Sequence, residues 1–421
     1  VTNGRLPGAD RAIDGASIDS RHVEAGQLFV AVVAERDGHD FVPAAVESGA
    51  AAVLADRPLD VEVPVVEVTD TMAGLAAAGR LARTCLPDRV VGVTGSVGKT
   101  SVKDLAASVL RTTFATASSE RSFNNELGVP LTLLNAPAET AAAVIEMGAR
   151  GQGHIADLCA IASPTIGVVT AVAAVHTELF GTLEDIARAK GELIEAVPVD
   201  GFAVLNGDDP AVAAMADRTE ATVVTYGADG DVRAGGVELD ADLRPRFRIE
   251  VGGERAAVHL AVSGRHNVSN ALAATASACA LGVSIDHACE ALAGVSAVRG
   301  RLEEIRAGQE FLIFVDYAHT DDALRRCVGF LRRLTAGRVI CVFGAGGDRD
   351  RSKRPLLGNA AADADVAVVT SDNPRSEDPS QIIDDILPGL GDAQSRVRVE
   401  VDRADAIGWA LQNAGPGDTV L

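Results

Sequence analysis

Val91-Gly92-Val93-Thr94-Gly95-Ser96-Val97-Gly98-Lys99-Thr100-Ser101 is the stretch on which the reading of this chain turns. The apolar residues 89–93 have the composition of a buried parallel strand, and residues 102–110 have helical periodicity. Strand, glycine turn, Lys-Thr and helix in this order make a phosphate cradle. Gly95 and Gly98 let the backbone approach a polyphosphate, and the amides at the helix start point at it. Lys99 supplies a charge, and Thr100 and Ser101 stand where a nucleotide and its Mg²⁺ are held. The spacing is Gly-x-x-Gly-Lys-Thr, shorter than the common form of this loop. An ordinary strand-to-helix turn explains less, because strand and helix flank the loop on the required sides. Nucleotide binding, with ATP as the nucleotide, is the first expectation.

At 421 residues the chain is expected to hold two to four domains. With 47% hydrophobic and 23% charged residues it has the composition of a soluble globular protein, and with 3% aromatics its cores must be built from Ala, Val, Leu and Ile. The net charge of −21 argues against nucleic acid and anionic membranes as partners. Cys85, Cys159, Cys279, Cys289, Cys327 and Cys341 form no C-x-x-C pair and no zinc spacing, so reduced, buried thiols in a cytoplasmic protein are expected. No apolar run is long enough for a transmembrane helix, and the first residues lack a signal-peptide core. The last residues, 416–421, read as a turn entering a strand, so the chain is expected to continue.

Three α/β segments follow from the alternation of apolar runs and polar turns: 1–88, 89–300 and 301–421. In the first, Ser17-Ile18-Asp19-Ser20-Arg21 precedes a strand over 27–33, a helix over 41–48 and a strand over 51–55. Asp19, Ser20 and Arg21 are either a plain surface turn or polar groups at a strand edge able to hydrogen-bond a ligand. In the second, strands over 141–147 and 165–172 end near Glu146 and His176, the sheet end where an open α/β sheet binds its ligands. Beside a triphosphate such a carboxylate would serve Mg²⁺, although singly each residue also reads as a strand end or a satisfied histidine. Lys190 falls among apolar positions of a helix over 183–196, where a lysine usually extends to solvent. In the third, strands over 310–315, 338–343 and 366–370 end in polar loops on one side: Asp316-Tyr317-Ala318-His319, Gly344-Ala345-Gly346-Gly347-Asp348-Arg349-Asp350 and Asp372-Asn373-Pro374-Arg375. That is a doubly wound arrangement with its ligand face in those loops.

Taken in order, the glycine loop, Asn124-Asn125 before Gly128-Val129-Pro130, Glu146, His176, Lys190, Asn267 with Asn270, Gly300-Arg301 and Asp316-Tyr317-Ala318-His319 make the chain resemble the Mur ligases over nearly its whole length. These are ATP-dependent amide ligases of cell-wall precursor synthesis. The resemblance implies a small N-terminal domain for a UDP-linked acceptor, a central P-loop ATPase domain and a C-terminal Rossmann-like domain for the incoming amine. It implies that Gly95, Gly98, Lys99, Thr100, Ser101, Asn267, Asn270, Arg301 and Asp316 bind ATP, the last two from the C-terminal domain. Thr100 and Glu146 would hold one Mg²⁺, and His176 with a carbamylated Lys190 a second; Lys99, Glu146, His176 and Lys190 would be the catalytic set. Ser17, Asp19, Ser20, Arg21, Asn124, Asn125, His319, Arg349, Asp372, Asn373 and Arg375 would contact the small-molecule substrates. The implied reaction passes through an acyl phosphate that an amine attacks, and a monomer is expected.

The two halves resemble different branches. The residues around Asn124-Asn125, Glu146-Met147-Gly148 and 176–192 resemble the ligase that adds D-alanyl-D-alanine to a UDP-MurNAc-tripeptide. Asp316-Tyr317-Ala318-His319, Gly346-Gly347-Asp348-Arg349 and Asp372-Asn373-Pro374-Arg375 resemble the ligase that adds meso-diaminopimelate to UDP-MurNAc-L-Ala-D-Glu. Asp321 stands where that branch usually has Pro, Ala345 where it has Cys, and the central segment lacks its His-Thr-Thr-Pro. Because the C-terminal domain receives the amine, the diaminopimelate-adding reaction leads, with the D-alanyl-D-alanine ligase or a hybrid with a specialised acceptor as the alternative.

Overall fold

Three sheets of mostly parallel strands are the frame of the molecule. The computed structural model describes residues 4–6, 10–34, 36–120, 123–173 and 181–421, and the side chains of all of these except 392–395. Among the described residues, a four-stranded parallel sheet runs in the order Ala16–Ser17, Leu28–Val30, Ala52–Ala55, Val65–Glu67. A nine-stranded sheet follows, with Thr116–Ser118, Ala142–Glu146, Val90–Thr94, Ile166–Val169, Phe202–Asn206 and Thr222–Tyr226 as successive parallel neighbours. It continues through Val232–Leu239 and closes with the antiparallel pair Pro245–Val251 and Glu254–His259. A six-stranded sheet is ordered Glu303–Glu304, Leu312–Val315, Thr419–Val420, Val339–Phe343, Val366–Val369, Val397–Val399. Its first pair is antiparallel and the rest are parallel.

The first two sheets belong to one compact unit, Val1–Glu238 with Pro245–Leu260 and Arg265–Val295. The second unit is Ser296–Leu421 together with the short inserts Leu239–Arg244 and Ala261–Gly264. The core of the nine-stranded sheet follows from composition. Val90, Ala143 and Ile145 on one face meet Val129, Leu133, Ile155, Leu158, Ile161 and Leu193 from the covering helices. The second unit departs from the aromatic-poor expectation, since Phe314, Phe330 and Phe343 all enter its core. Few aromatics in the chain as a whole did not mean few in each core.

Two further expectations are corrected. The helix after the glycine loop begins at Lys99 and runs to Leu110, three residues earlier than its apolar periodicity shows, because Gly98 caps it. Cys159, Cys289, Cys327 and Cys341 are buried free thiols and Cys279 is half-buried, but Cys85, at the end of helix Thr71–Thr84, is exposed. No helix of the described residues is long and apolar enough to cross a membrane.

Candidate active site

Val90–Thr94 lies between Ala142–Glu146 and Ile166–Val169, so the loops leaving three parallel strands converge at one sheet end. Gly98 starts helix Lys99–Leu110 from a left-handed φ of 85°, and a Cβ there would stand 2.9 Å from Asn270 Oδ1. Glycine alone meets both demands. The neighbouring strand braces the loop: the Thr170 hydroxyl donates to the carbonyls of Thr94 and Val97, and the Ser96 N–H donates to the Ala171 carbonyl at 2.8 Å. The Lys99 ammonium folds across the loop onto the Gly95 carbonyl at 2.6 Å and the Ser96 carbonyl at 3.3 Å. Thr100 and Ser101 are buried in the first helical turn, where backbone amides favour an anion. Asn267 and Asn270 come from the buried helix His266–Ala280, with Asn270 Nδ2 donating to Asn267 Oδ1 at 2.9 Å.

Glu146 ends the adjacent strand and is 1% exposed. Asn124 Nδ2 donates to its Oε1 at 2.8 Å, while its Oε2 is buried with no hydrogen-bond partner among the described residues. A carboxylate oxygen left so costs a few kcal/mol by itself, roughly 1–3 or more, and a cation removes that cost. Asn125 instead caps helix Gly128–Leu134, its Oδ1 accepting from the Gly128 N–H at 2.9 Å. Lys190 does not extend to solvent. Helix Leu183–Glu195, opened by a Thr182–Asp185 capping box, turns it inward until it is 5% exposed. Burial first, and the charge of Lys99 second, push its ammonium down to about 7. A lysine so placed offers a neutral, nucleophilic amine at ordinary pH. His176 lies outside the described residues.

In the four-stranded sheet, strand Ala16–Ser17 delivers the Ser17–Arg21 segment. The Ser17 hydroxyl and the Asp19 backbone bond each other, and the Ser20 carbonyl accepts from Ser48. Arg21 and His22 both bond the Asp19 carboxylate, which the Arg21 guanidinium holds well below the usual carboxylate range.

In the second unit, Asp316 Oδ2 accepts from the Leu302 N–H at 2.7 Å and the Arg301 guanidinium lies 5.4 Å from the Tyr317 ring centre, so the Gly300-Arg301 and Asp316 motifs come together. His319 is exposed, edge-on to Tyr317. The loops after Val339–Phe343 and Val366–Val369 interlock. A Cβ on Gly344 would stand 3.0 Å from Cβ of Asp372, and one on Gly346 would stand 3.5 Å from an Arg375 guanidinium nitrogen and 3.8 Å from Cγ of Arg349. Arg349 of the first loop and Asp372, Asn373 and Arg375 of the second, more than twenty residues on, thus form one polar face.

Sequence reasoning missed several residues that shape these sites. Lys103, buried, donates to the Ser119 carbonyl at 2.8 Å, and Ser119 Oγ accepts from the Glu146 N–H. Its signal was the apolar residues three, four and seven positions on, Ala106, Ala107 and Leu110, a face that a lysine joins only when its ammonium finds acceptors. Glu377, half-buried on the second of these loops, and Arg354, buried at the start of helix Arg354–Ala361, gave no signal beyond their place in polar stretches.

The chain matches three family models end to end: the Mur ligase family catalytic domain over 12–82, the Mur ligase middle domain over 93–278, and the Mur ligase glutamate ligase domain over 300–421. It is 36% identical to the UDP-N-acetylmuramoyl-L-alanyl-D-glutamate–2,6-diaminopimelate ligase of Geobacillus thermodenitrificans, over 99% of this chain and 92% of that one. To the UDP-N-acetylmuramoyl-tripeptide–D-alanyl-D-alanine ligase of Mycobacterium tuberculosis it is 42% identical, over 75% of this chain and 68% of that one. The MurF ligase of Thermotoga maritima in complex with ADP superimposes with a TM-score of 0.75 at 27% identity, covering 98% of this chain and 94% of that one. Phosphate loop, buried acidic strand end and full-length likeness agree: the chain belongs to the Mur ligase family, ATP-dependent enzymes that form peptide bonds on small-molecule substrates.

Proposed function

We propose that this ligase adds meso-diaminopimelate to UDP-N-acetylmuramoyl-L-alanyl-D-glutamate. The observation that carries this reading is the face made by Arg349 and Arg375, whose side chains flank Gly346 on interlocked loops. A diamino dicarboxylic acid brings a carboxylate at its far end, and a guanidinium pairs with a carboxylate through two parallel hydrogen bonds. D-Alanyl-D-alanine has one carboxylate and no second amine, and gives such a face less to bind. The match to a diaminopimelate ligase across 99% of the chain supports the same amine. The second reading, the D-alanyl-D-alanine-adding reaction, rests on the higher identity, 42%, over a shorter share of the chain.

Lys99 and the amides at the start of its helix hold the β- and γ-phosphates of ATP, with Asn267 and Asn270 alongside. The acceptor carboxylate takes the γ-phosphoryl group and becomes an acyl phosphate. The amine attacks its carbonyl carbon, the C–O bond to phosphate breaks, and inorganic phosphate leaves. The chain contributes positioning and charge neutralisation more than proton transfer. Thr100 and Glu146 fit a Mg²⁺, because the unpartnered Oε2 of Glu146 is a buried anionic oxygen beside the phosphate loop. Bound there, the ion supplies Lewis-acid neutralisation of phosphate charge. The buried, neutral amine of Lys190 fits uptake of CO₂ as a carbamate, which turns a lysine into an anionic ligand.

The test is phosphate release from ATP over a grid of acceptors and amines: UDP-MurNAc-dipeptide or UDP-MurNAc-tripeptide, with meso-diaminopimelate, L-lysine or D-Ala-D-Ala. Turnover is expected with the dipeptide and diaminopimelate, and slower turnover in CO₂-depleted buffer. Turnover confined to the tripeptide and D-Ala-D-Ala overturns the reading in favour of the second.

A further inference from the structure

Three residues other than glycine adopt left-handed backbone conformations in the two interlocked loops: Asp348 at φ 51°, Asn373 at φ 47° and Arg375 at φ 51°. All three adjoin or belong to the residues that make the proposed amine face. Such conformations disfavour a side chain, least for Asp and Asn and most for Arg375, and persist only where the surroundings impose them. The loops also meet backbone to backbone. A Cβ on Gly347 would fall 1.8 Å from the Pro374 carbonyl oxygen, so a side chain there forces them apart. Something must hold this contact closed against the strain it contains.

Glu377 does so from behind the face. Its side chain is 11% exposed. Its Oε1 accepts from the Asp348 N–H at 2.6 Å and from the Arg354 guanidinium at 2.7 Å, and its Oε2 accepts from Arg351 at 2.7 Å. One carboxylate on the second loop thus gathers three donors from the first loop and the helix after it. Arg351 and Arg354 complete the charge balance, and together these donors hold the Glu377 carboxyl down at about 2, with Arg354 the largest cause. Asp348 returns the link, its carboxylate accepting from the Ser376 hydroxyl at 2.8 Å and the Ser376 N–H at 3.2 Å. Arg375 completes the closure by donating to the Gly347 carbonyl.

We infer that Glu377 is a positioning residue for the incoming amine: by clamping the Gly344–Asp350 stretch to the Asp372–Arg375 stretch through Asp348, Arg351 and Arg354, it sets the spacing of the two guanidinium groups that read the amine. This rests on the reading of that face as the amine site. The contacts Glu377 makes are to Asp348, Arg351 and Arg354. Its effect reaches the reaction only through where Arg349 and Arg375 stand, and displacements of about 1 Å in a positioning group are costly.

The test is steady-state kinetics of the full chain carrying Glu377→Gln, with the KM for meso-diaminopimelate, ATP and acceptor measured separately. If the grid selects another amine, that amine replaces diaminopimelate. Glutamine keeps an acceptor oxygen but loses the charge and one strong bond, while Asp385, 2.8 Å from Arg354, keeps that buried guanidinium paired. The expected result is a rise in amine KM on the order of tenfold or more, with the KM values for ATP and acceptor within about twofold of wild type. A folded Glu377→Gln with an unchanged amine KM, or with all three KM values raised alike, overturns the inference. Should the variant fail to fold, Ser376→Ala removes the hydroxyl half of the reciprocal link and leaves its N–H half, with an expected rise of roughly threefold in amine KM alone, and no rise there overturns it equally. Arg375→Ala separates the two claims. If it raises amine KM and Glu377→Gln does not, the clamp fails and the amine site stands; if Arg375→Ala is also silent, both fall.

Discussion

Lys190 shows how much one buried charge decides. An ordinary lysine titrates near 10.5, and this one is held down to about 7 by burial and by Lys99. Between these values the unfolded chain binds a proton that the folded chain does not. Stability therefore rises with pH across that window, by up to roughly 1.4 kcal/mol per pH unit, is complete above the upper value and is lost as the pH falls to the lower one. Lys190→Met fills the same space without a titrating group. The expected outcome is that urea unfolding of wild type gains on Lys190→Met between about pH 7 and about pH 9, and that the gap is flat below neutrality. A gap that does not change over that range means the amine is charged in the fold. Glu146 is the complementary case. It is as buried as Lys190, and among the described residues one of its oxygens has no hydrogen-bond partner, which is why it is proposed above as a cation ligand.

Helix Gly128–Leu134 carries a link that no local pattern announces. Asn135, just past its end, accepts from the Ala16 N–H at 2.8 Å and donates to the Ala16 carbonyl at 2.9 Å, as a neighbouring strand residue would. The next residues, Ser17–Arg21, are the proposed acceptor segment, so this side chain fixes where that segment starts. Asn135→Ala leaves two backbone groups without partners and is expected to cost about 1–3 kcal/mol in urea unfolding. It is also expected to raise acceptor KM several-fold while sparing amine KM. Stability loss with an unmoved acceptor KM would detach the segment from the acceptor. The contrast with the phosphate loop explains what the sequence could disclose. Strand, glycine turn and helix around Lys99 lie within a score of residues, and their signals are local. Asn135 and Ala16 are 119 residues apart, and the Glu377 clamp spans up to 29. Such pairings depend on which loops the sheet order makes neighbours, and composition does not encode that. The burial of Lys190 escaped for the same reason, since helical spacing sets its face but packing alone sets its depth.

The division of the chain into two compact units does not follow its linear order. Leu239–Arg244 and Ala261–Gly264, either side of the antiparallel pair that edges the nine-stranded sheet, belong to the second unit. Leu243 packs against that unit's core, its carbonyl accepts from the Gly264 N–H at 2.8 Å, and Arg244 pairs with Glu304 at 3.4 Å. Leu243 sits at a φ of 56°, a conformation that costs an L-residue roughly 1–2 kcal/mol and that its packing must offset. Alanine at this position keeps the backbone cost and loses the contact; glycine loses both. Leu243→Ala is therefore expected to destabilise the second unit by about 1–2 kcal/mol, less than a fully buried leucine would, and Leu243→Gly by less again. Native-state hydrogen exchange reads the two units separately. Amides of strand Val339–Phe343 should lose protection in Leu243→Ala while those of Val90–Thr94 keep theirs. Equal loss in both strands would mean the units unfold as one, and the insert would then be a brace for the whole chain rather than a part of its C-terminal unit.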